Sequence, residues 1–140
     1  MFKTDLSVRF NDCDALGHVN NSLYFTYMEE ARTPIFAICN PDLSVGQWNL
    51  IVASARCDFL RQIHYGRPMT VMTWVSRIKT SSFTVDHLIV DGEGLVCARG
   101  QAVLIYYDYK TQRPTPLPQS VRVQLAAHGE GPEQAPAFRD

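Results

Sequence analysis

The spacing of apolar side chains divides the first part of the chain into two kinds of element. Residues 5–11 alternate polar and apolar side chains, which is typical of a half-buried strand that buries Leu6, Val8 and Phe10. In residues 23–38 the apolar side chains recur every three or four positions, which predicts an amphipathic helix with one broad apolar face. The chain is therefore expected to begin with a strand, a loop and a long helix.

Pro34 interrupts the predicted helix. Proline has no backbone N–H and removes one hydrogen bond from the helical ladder, so we expect a kink or a break near residue 33. Asn21 or Ser22 is the expected N-cap, because a short polar side chain can accept a hydrogen bond from a free backbone N–H.

The pattern from residue 50 onward predicts four further strands joined by short turns. Their expected ranges are 50–63, 69–79, 83–90 and 95–107. Strands joined so closely must be antiparallel, since parallel neighbours need long crossover connections. The apolar face of the helix needs a surface to pack against, so we expect an α+β fold: a curved, antiparallel, five-stranded sheet wrapped around one long central helix. This single domain is expected to span residues 1–127, with a short helix near 119–127 and a flexible tail over 128–140.

The composition excludes several classes of protein. The 140 residues are 46% hydrophobic and 19% charged, which fits one globular domain rather than a disordered chain. A net charge of -1 offers no basic surface for nucleic acid or for an anionic membrane. No apolar run approaches the roughly 18 residues of a membrane helix.

No apolar stretch precedes Asp5, so we expect no signal peptide and a cytoplasmic location. The four scattered cysteines are then expected to be reduced: Cys13, Cys39, Cys57 and Cys97.

Candidate reactive side chains cluster in the loop before the predicted helix. They are Asp12, Asp14, His18, Asn20 and Asn21. The first turn of a helix has backbone N–H groups without internal partners, and it is the positive end of the helix dipole. Such donors can hold the oxyanion that forms when a carbonyl is attacked, and a carboxylate upstream can serve as base or nucleophile. The loop therefore has the parts needed for acyl transfer.

Each of these side chains also has a structural interpretation. Asp12 and Asp14 could accept hydrogen bonds from backbone amides of a turn, and His18 could be a packing or capping residue. A calcium loop of the EF-hand type is excluded because Leu16 and Leu23 occupy positions that require oxygen ligands. We expect no metal and no cofactor.

The run from Asp12 to Tyr24, with the pattern DxDxxGHVNNxxY, resembles the 4-hydroxybenzoyl-CoA thioesterase branch of the hotdog-fold superfamily. Weaker similarity continues in residues 57–66 and 77–83, and together the resemblance spans roughly residues 5–125. The resemblance implies a hotdog fold and an acyl-CoA thioesterase, a hydrolase that releases a carboxylic acid and CoA.

Matching positions of the motif imply roles for residues of the loop. Asp14 matches the catalytic carboxylate, acting as nucleophile or as general base for water. The backbone amide of Asn21 matches the donor that polarises the thioester carbonyl. His18 and Asn20 belong to a variant loop and are expected to orient water or substrate, and Asp12 matches a structural position.

The resemblance also implies substrate contacts and an assembly. Tyr24 is a candidate for the acyl pocket, whereas Arg77, Lys79 and Ser82, around one turn, are candidates for contact with CoA. Aromatic and aliphatic acyl groups fit equally well. Family members form dimers by edge-to-edge extension of the sheet, often stacked as tetramers, with the active site between subunits. We therefore expect a homo-oligomer, which would also cover the open strand edges.

Three other interpretations remain at this point. The chain could be an enoyl-CoA hydratase, although the spacing and the proline of hotdog hydratases are missing from the loop. It could also be a hotdog protein that binds acyl-CoA without catalysis, against which Asp14 argues mildly. Glu29 and Glu30 could suggest the hotdog branch with a helix Glu. They fall on the predicted polar face near Arg32, which favours a solvated or interface ion pair instead.

Overall fold

Six strands and three helices make up the chain in the computed structural model, which describes residues 1–140. In chain order they are β1 (Phe2–Ser7), α1 (Asn21–Ala31), α2 (Thr33–Cys39), β2 (Leu50–Phe59), β3 (Pro68–Ile78), β4 (Ser82–Asp91), β5 (Val96–Asp108), β6 (Arg113–Pro114) and α3 (Gln119–Ala126). Two short 3-10 turns cover Phe10–Asp12 and Val45–Gln47.

One antiparallel sheet has the strand order β1-β3-β4-β5-β2, and β6 pairs with β5. The helical segment between β1 and β2 carries the chain from one edge of the sheet to the other. The expected curved antiparallel sheet around a helix is therefore confirmed. The sheet has six strands rather than five because the short strand β6 adds two residue pairs.

The central helix is divided in two. Helix α1 ends at Ala31, Arg32 follows with φ −83° and ψ −4°, and α2 begins at Thr33. Pro34 lies in the first turn of α2, where its missing N–H costs nothing. The break expected near residue 33 is confirmed, and the central helix accordingly consists of two segments separated by one residue.

Two boundaries differ from the sequence prediction. The first strand ends at Ser7, and Phe10, predicted to be buried, is 78% exposed in the 3-10 turn that follows. Strand β2 ends at Phe59 rather than at residue 63, because the amides of Leu60 and Arg61 both turn to the carbonyl of Cys97.

Helix α1 packs against the concave face of the sheet through a core that includes Tyr24, Tyr27 and Met28. Gly100 of β5 allows this approach, because a Cβ at that position would overlap the sulfur of Met28. A second core cluster lies farther along the sheet, under α2 and α3, and contains Ile35 and Leu125 among others.

Residues 128–140 form no helix or strand, but they run along the outer face of the sheet. The amide of Val75 donates to the carbonyl of His128, and the guanidinium of Arg99 lies over the rings of Trp74 and Phe138, at 5.0 and 4.4 Å. Flexibility of this tail stays a prediction.

Two further properties of the chain concern its environment. All four cysteines are free thiols, in agreement with the sequence expectation. The three helices have 11, 7 and 8 residues, which is too short to span a membrane.

We predict that Gly100→Ala destabilises the protein by about 1–3 kcal/mol, because the added methyl group forces the buried Met28 side chain out of its position. Urea unfolding measures this change. Gly46→Ala is the matched control, since the nearest atom to a Cβ there is the Ser44 hydroxyl at 3.8 Å. Equal stability of both variants would show that α1 does not need this close approach.

Candidate active site

The loop before α1 is a tight hairpin. Cys13 and Val19 form an antiparallel bridge, and the amide of Asp14 donates to the carbonyl of His18 at 2.8 Å. Gly17 closes the turn with φ +78°, a left-handed conformation that glycine adopts without strain. The hairpin therefore holds Asp14 at a fixed position beside the start of the helix.

Asp12 anchors this hairpin to the helix. Its carboxylate is 2% exposed and accepts a hydrogen bond of 2.7 Å from the hydroxyl of Tyr27, which lies in α1. The amide and guanidinium of Arg9 also contact it, at 3.1 and 3.2 Å. Burial raises the pKa of Asp12, but the hydrogen bonds from Tyr27 and Arg9 outweigh burial and hold the pKa below its usual value. Asp12 is therefore a buried anion that ties the loop to the helix.

Asp14 is exposed and uses only one of its carboxylate oxygens within the chain. Oδ1 accepts from the amides of Leu16 at 2.9 Å and His18 at 3.2 Å, as in an Asx turn. Oδ2 makes no hydrogen bond within the chain. The structural and the catalytic interpretation of this residue are thus compatible, because the turn fixes the carboxylate and leaves one oxygen free.

Helix α1 begins beside this carboxylate with a free donor. Asn20 is the N-cap, one residue before the expected position, and its side-chain oxygen accepts from the amide of Ser22 at 3.4 Å. The amide of Asn20 donates to the carbonyl of Asp12, whereas the amide of Asn21 makes no hydrogen bond. The N–H of Asn21 is therefore available to a bound molecule.

One cavity of about 320 Å³ brings these groups together. It is lined by Asp14, His18, Val19, Asn20, Asn21, Tyr24 and Gln62. Five residues predicted from the sequence thus line the same cavity. A free carboxylate oxygen, as in Asp14, is chemically able to act as nucleophile or base, and a free backbone amide, as in Asn21, is able to donate to an oxyanion.

Tyr24 is a wall of this cavity rather than a free polar group. Its side chain is 2% exposed, its ring packs edge-on against Phe59 with centroids 5.0 Å apart, and its hydroxyl donates to the carbonyl of Arg61 at 3.3 Å. Burial raises the pKa of Tyr24, so the phenol stays neutral.

Two neighbours of the loop, Gln62 and His64, are not among the site residues predicted from the sequence. His18 and His64 form an antiparallel bridge with their rings 4.8 Å apart, and the amide of Val19 donates to the carbonyl of Ile63. Nothing in the local spacing links these segments, because the contact spans more than forty residues.

Arg77, Lys79 and Ser82 lie elsewhere. They surround the β3–β4 turn, where Ser82 pairs with Ile105 near the end of β5, whereas the loop cavity is close to Cys97 at its start. Eight strand residues separate the two places, or about 26 Å. A single chain therefore does not bring these three residues to Asp14.

Two other cations are closer to the loop. Arg61 and Arg67 line a cavity of about 330 Å³ that also contains Gln62 and His64, and Gln62 is shared with the cavity of Asp14. These arginines therefore line a cavity that adjoins the cavity of Asp14.

The curved sheet, the central helix and the loop at its start define a hotdog-type domain, the fold seen in thioesterases. The family model of the Thioesterase-like superfamily matches residues 8–125, and the chain belongs to this family.

The chain is also similar to one uncharacterized protein and to two solved structures that are named as thioesterases. The chain is 35% identical over 104 residues to YsmA of Bacillus subtilis (strain 168), an uncharacterized protein, covering 74% of this chain and 71% of that one. A predicted thioesterase from Bacillus stearothermophilus is 34% identical with a TM-score of 0.90, over 94% of this chain and 98% of that one. A thioesterase from Thermus thermophilus, solved with coenzyme A and Zn, is 34% identical with a TM-score of 0.79, over 88% and 95%.

We predict that Tyr27→Phe lowers the free energy of unfolding by about 1.5–3 kcal/mol at neutral pH, because it removes a hydrogen bond to a buried carboxylate. The folded-state pKa of Asp12 is depressed, so this stabilisation is present above the unfolded pKa of about 3.9 and is lost as pH falls through the folded pKa. The difference between wild type and Tyr27→Phe should therefore shrink below about pH 4.

Chemical unfolding from pH 3 to pH 7 measures this dependence. Tyr109→Phe is the control, since its hydroxyl donates to the neutral carbonyl of Leu50 and its loss should not depend on acid. A difference between wild type and Tyr27→Phe that stays constant over this range would contradict the anchoring role of ionised Asp12.

Proposed function

We propose that the chain hydrolyses the thioester of an acyl-CoA to a carboxylic acid and CoA. One observation carries the proposal: the unbonded Oδ2 of Asp14 and the unbonded N–H of Asn21 belong to residues that line one cavity. Membership of the Thioesterase-like superfamily supports the reaction class. The coenzyme A bound in the similar Thermus thermophilus thioesterase supports the leaving group.

In the proposed reaction the thioester carbonyl oxygen accepts the hydrogen bond of the Asn21 amide. Asp14 either attacks the carbonyl carbon, giving an anhydride that water then cleaves, or takes a proton from a water that attacks in its place. Both routes break the C–S bond, add the elements of water, and release the acid and the thiol. As negative charge develops on the carbonyl oxygen, the Asn21 amide and the positive end of α1 stabilise it.

The neighbouring side chains have positioning roles in this proposal. His18 and Asn20 orient water or substrate, and Tyr24 forms part of the wall for the acyl group. No metal or cofactor takes part. A thiolate is a good leaving group, so one base and one oxyanion donor are sufficient catalytic groups.

We further propose that two chains pair through the free edge of β2. This strand forms one edge of the sheet, and its inward-facing Val52 and Ala55 are exposed in the single chain. Antiparallel pairing of β2 with its copy would bring the far end of one subunit to the loop of the other. Arg77, Lys79 and Ser82 of the partner subunit would then approach the cavity of Asp14, where they could contact CoA.

We predict that Asp14→Asn lowers kcat/KM for thiol release about 10²–10⁴-fold, because the amide can act neither as base nor as nucleophile. A panel of acyl-CoAs with a thiol reagent measures this loss. Wild-type turnover of Asp14→Asn would show that Asp14 is not the catalytic carboxylate.

The role of the Asn21 amide has a sharper test. Asn21→Pro removes the N–H at the first helical position, where proline is well tolerated and where Asn20 already has the extended conformation that proline requires before it. We expect a loss of about 10²–10³-fold in kcat, with little change in stability. Asn21→Ala, which keeps the amide, is the matched control and should be mild. Equal effects of the two substitutions would contradict polarisation by the main chain.

The assembly is tested by sedimentation. We expect a mass of twice the 15.8 kDa chain, or of a higher even multiple. A species of 15.8 kDa at micromolar concentration would exclude the proposed pairing through β2.

A further inference from the structure

Arg32 is a buried cation at the junction of α1 and α2. Its spacing in the sequence suggested a polar face, but the residue is only 5% exposed. One guanidinium nitrogen, Nη1, lies 3.2 Å from Nε2 of His87, and Nε has no hydrogen-bond partner. Arg32 is thus an arginine that the chain alone leaves partly unsatisfied.

No carboxylate of the chain forms an ion pair with Arg32, although the charge of Glu29 favours the charged guanidinium. The two ion pairs of the structure are Arg9–Asp12 and Arg99–Asp86. Glu29, one turn before Arg32, is exposed and forms no ion pair with it. A buried charge is usually paired, because desolvation without compensation is costly.

His87 is neutral, so it neither balances the positive charge of Arg32 nor adds a second one. It is fully buried, and burial, followed by the nearby Arg32 and Arg99, holds its pKa well below 6.5. A neutral ring that accepts from Arg32 at Nε2 carries its proton on Nδ1, which then donates to the hydroxyl of Thr73 at 2.9 Å. These hydrogen bonds fix the guanidinium in place without giving it an ion-pair partner.

The guanidinium lines a cavity of about 200 Å³ between α1 and β2. Besides Arg32, it is lined by four apolar residues, Phe25, Met28, Val52 and Ala55, and by four polar ones, Thr26, Glu29, His87 and Gln101. At about 30 Å³ for each water, this volume holds about seven water-sized groups. A short apolar chain that ends in an anion matches both the walls and the buried cation.

This cavity and the loop cavity are both lined by residues of α1, which begins at Asn21 and ends just before Arg32. Phe25 is one helical turn beyond Asn21, and Arg32 is eleven residues beyond it, or about 16 Å along the axis. Side chains of a helix lean toward its N-terminus, so the guanidinium lies nearer than its Cα. The ring of Phe59 contacts both Tyr24, in the wall of the loop cavity, and Phe25, in the wall of this one.

We propose that Arg32 binds a carboxylate at the far end of the acyl group, so that the substrate is the CoA thioester of a dicarboxylic acid. This assignment rests on the proposed thioesterase function and deepens it. A carboxylate matches the planar, forked donors of a guanidinium and would satisfy the free Nε. His87 is a positioning residue in this proposal, because its neutral ring holds the guanidinium of Arg32 in place.

The test compares acyl-CoAs of equal length that end in a carboxylate or in a methyl group: glutaryl with pentanoyl, adipyl with hexanoyl, and suberyl with octanoyl. The wild-type protein should prefer the carboxylate by at least about tenfold in kcat/KM at one or more lengths. Arg32→Gln should abolish that preference, chiefly through KM, and should leave the methyl-terminated substrates within about twofold. Arg32→Lys, which keeps the charge but not the fork, should retain part of the preference. Arg113→Gln, on β6, is the control for loss of an exposed arginine.

A measurement without catalysis accompanies the assay. Free adipate or suberate should raise the thermal midpoint of the wild type more than hexanoate or octanoate does, and should not raise that of Arg32→Gln. This arm separates the two proposals: stabilisation by the diacids without thiol release from any substrate would refute the thioesterase and keep the carboxylate site.

Three results would overturn the carboxylate site. One is thiol release by the wild-type protein without a preference for the carboxylate at any chain length. This result can be obtained without any variant. Another is a preference that survives in Arg32→Gln. The third is an equal loss on all substrates together with dissociation of the oligomer, which would assign Arg32 to a subunit contact.

Discussion

The hydrogen bond between Tyr27 and Asp12 is the contact on which the arrangement of the site depends. It joins the loop that carries Asp14 to the helix that begins with the free amide of Asn21. Both partners are buried, so the contact is shielded from water and cannot be replaced by solvent without cost. With this bond in place, the hairpin that follows Asp12 needs only the Gly17 turn to set Asp14 beside the start of α1.

The helix is in turn positioned by the sheet. Gly100 lets Met28 approach β5 closely, and the break at Arg32 lets α2 follow the curvature of the sheet toward its second core cluster. The same packing leaves the inner side of β2 uncovered. That uncovered edge accounts for the proposed pairing of two chains, and the gap beside it is where the guanidinium of Arg32 lies.

Features that depend on residues close together in the sequence could be predicted from it, whereas contacts between distant residues could not. The spacing of apolar residues predicted the strand and helix order, and Pro34 predicted the break, because both depend on neighbours within one or two turns. Asp14 and Asn21, both singled out from the loop motif, line one cavity, and their catalytic roles stay predictions. Phe10 was misassigned because alternation alone does not show where a strand ends.

The errors at the other residues have a different cause. His64 meets His18 only because β2 ends and the chain returns beside the loop. Helical spacing placed Arg32 on the polar side of the helix. Spacing alone does not show how deeply a long side chain is buried. Arg77 and Lys79 were grouped with the site although the length of β5 separates them from it in one chain.

In the proposed reaction, a thioester carbonyl lies between the free oxygen of Asp14 and the free amide of Asn21. A crystal structure of Asp14→Asn with an intact acyl-CoA tests this placement. We expect the carbonyl oxygen about 2.9 Å from the Asn21 nitrogen, with the side chain at position 14 facing the carbonyl carbon. A thioester bound away from the start of α1, with the Asn21 amide in contact with water alone, would contradict it.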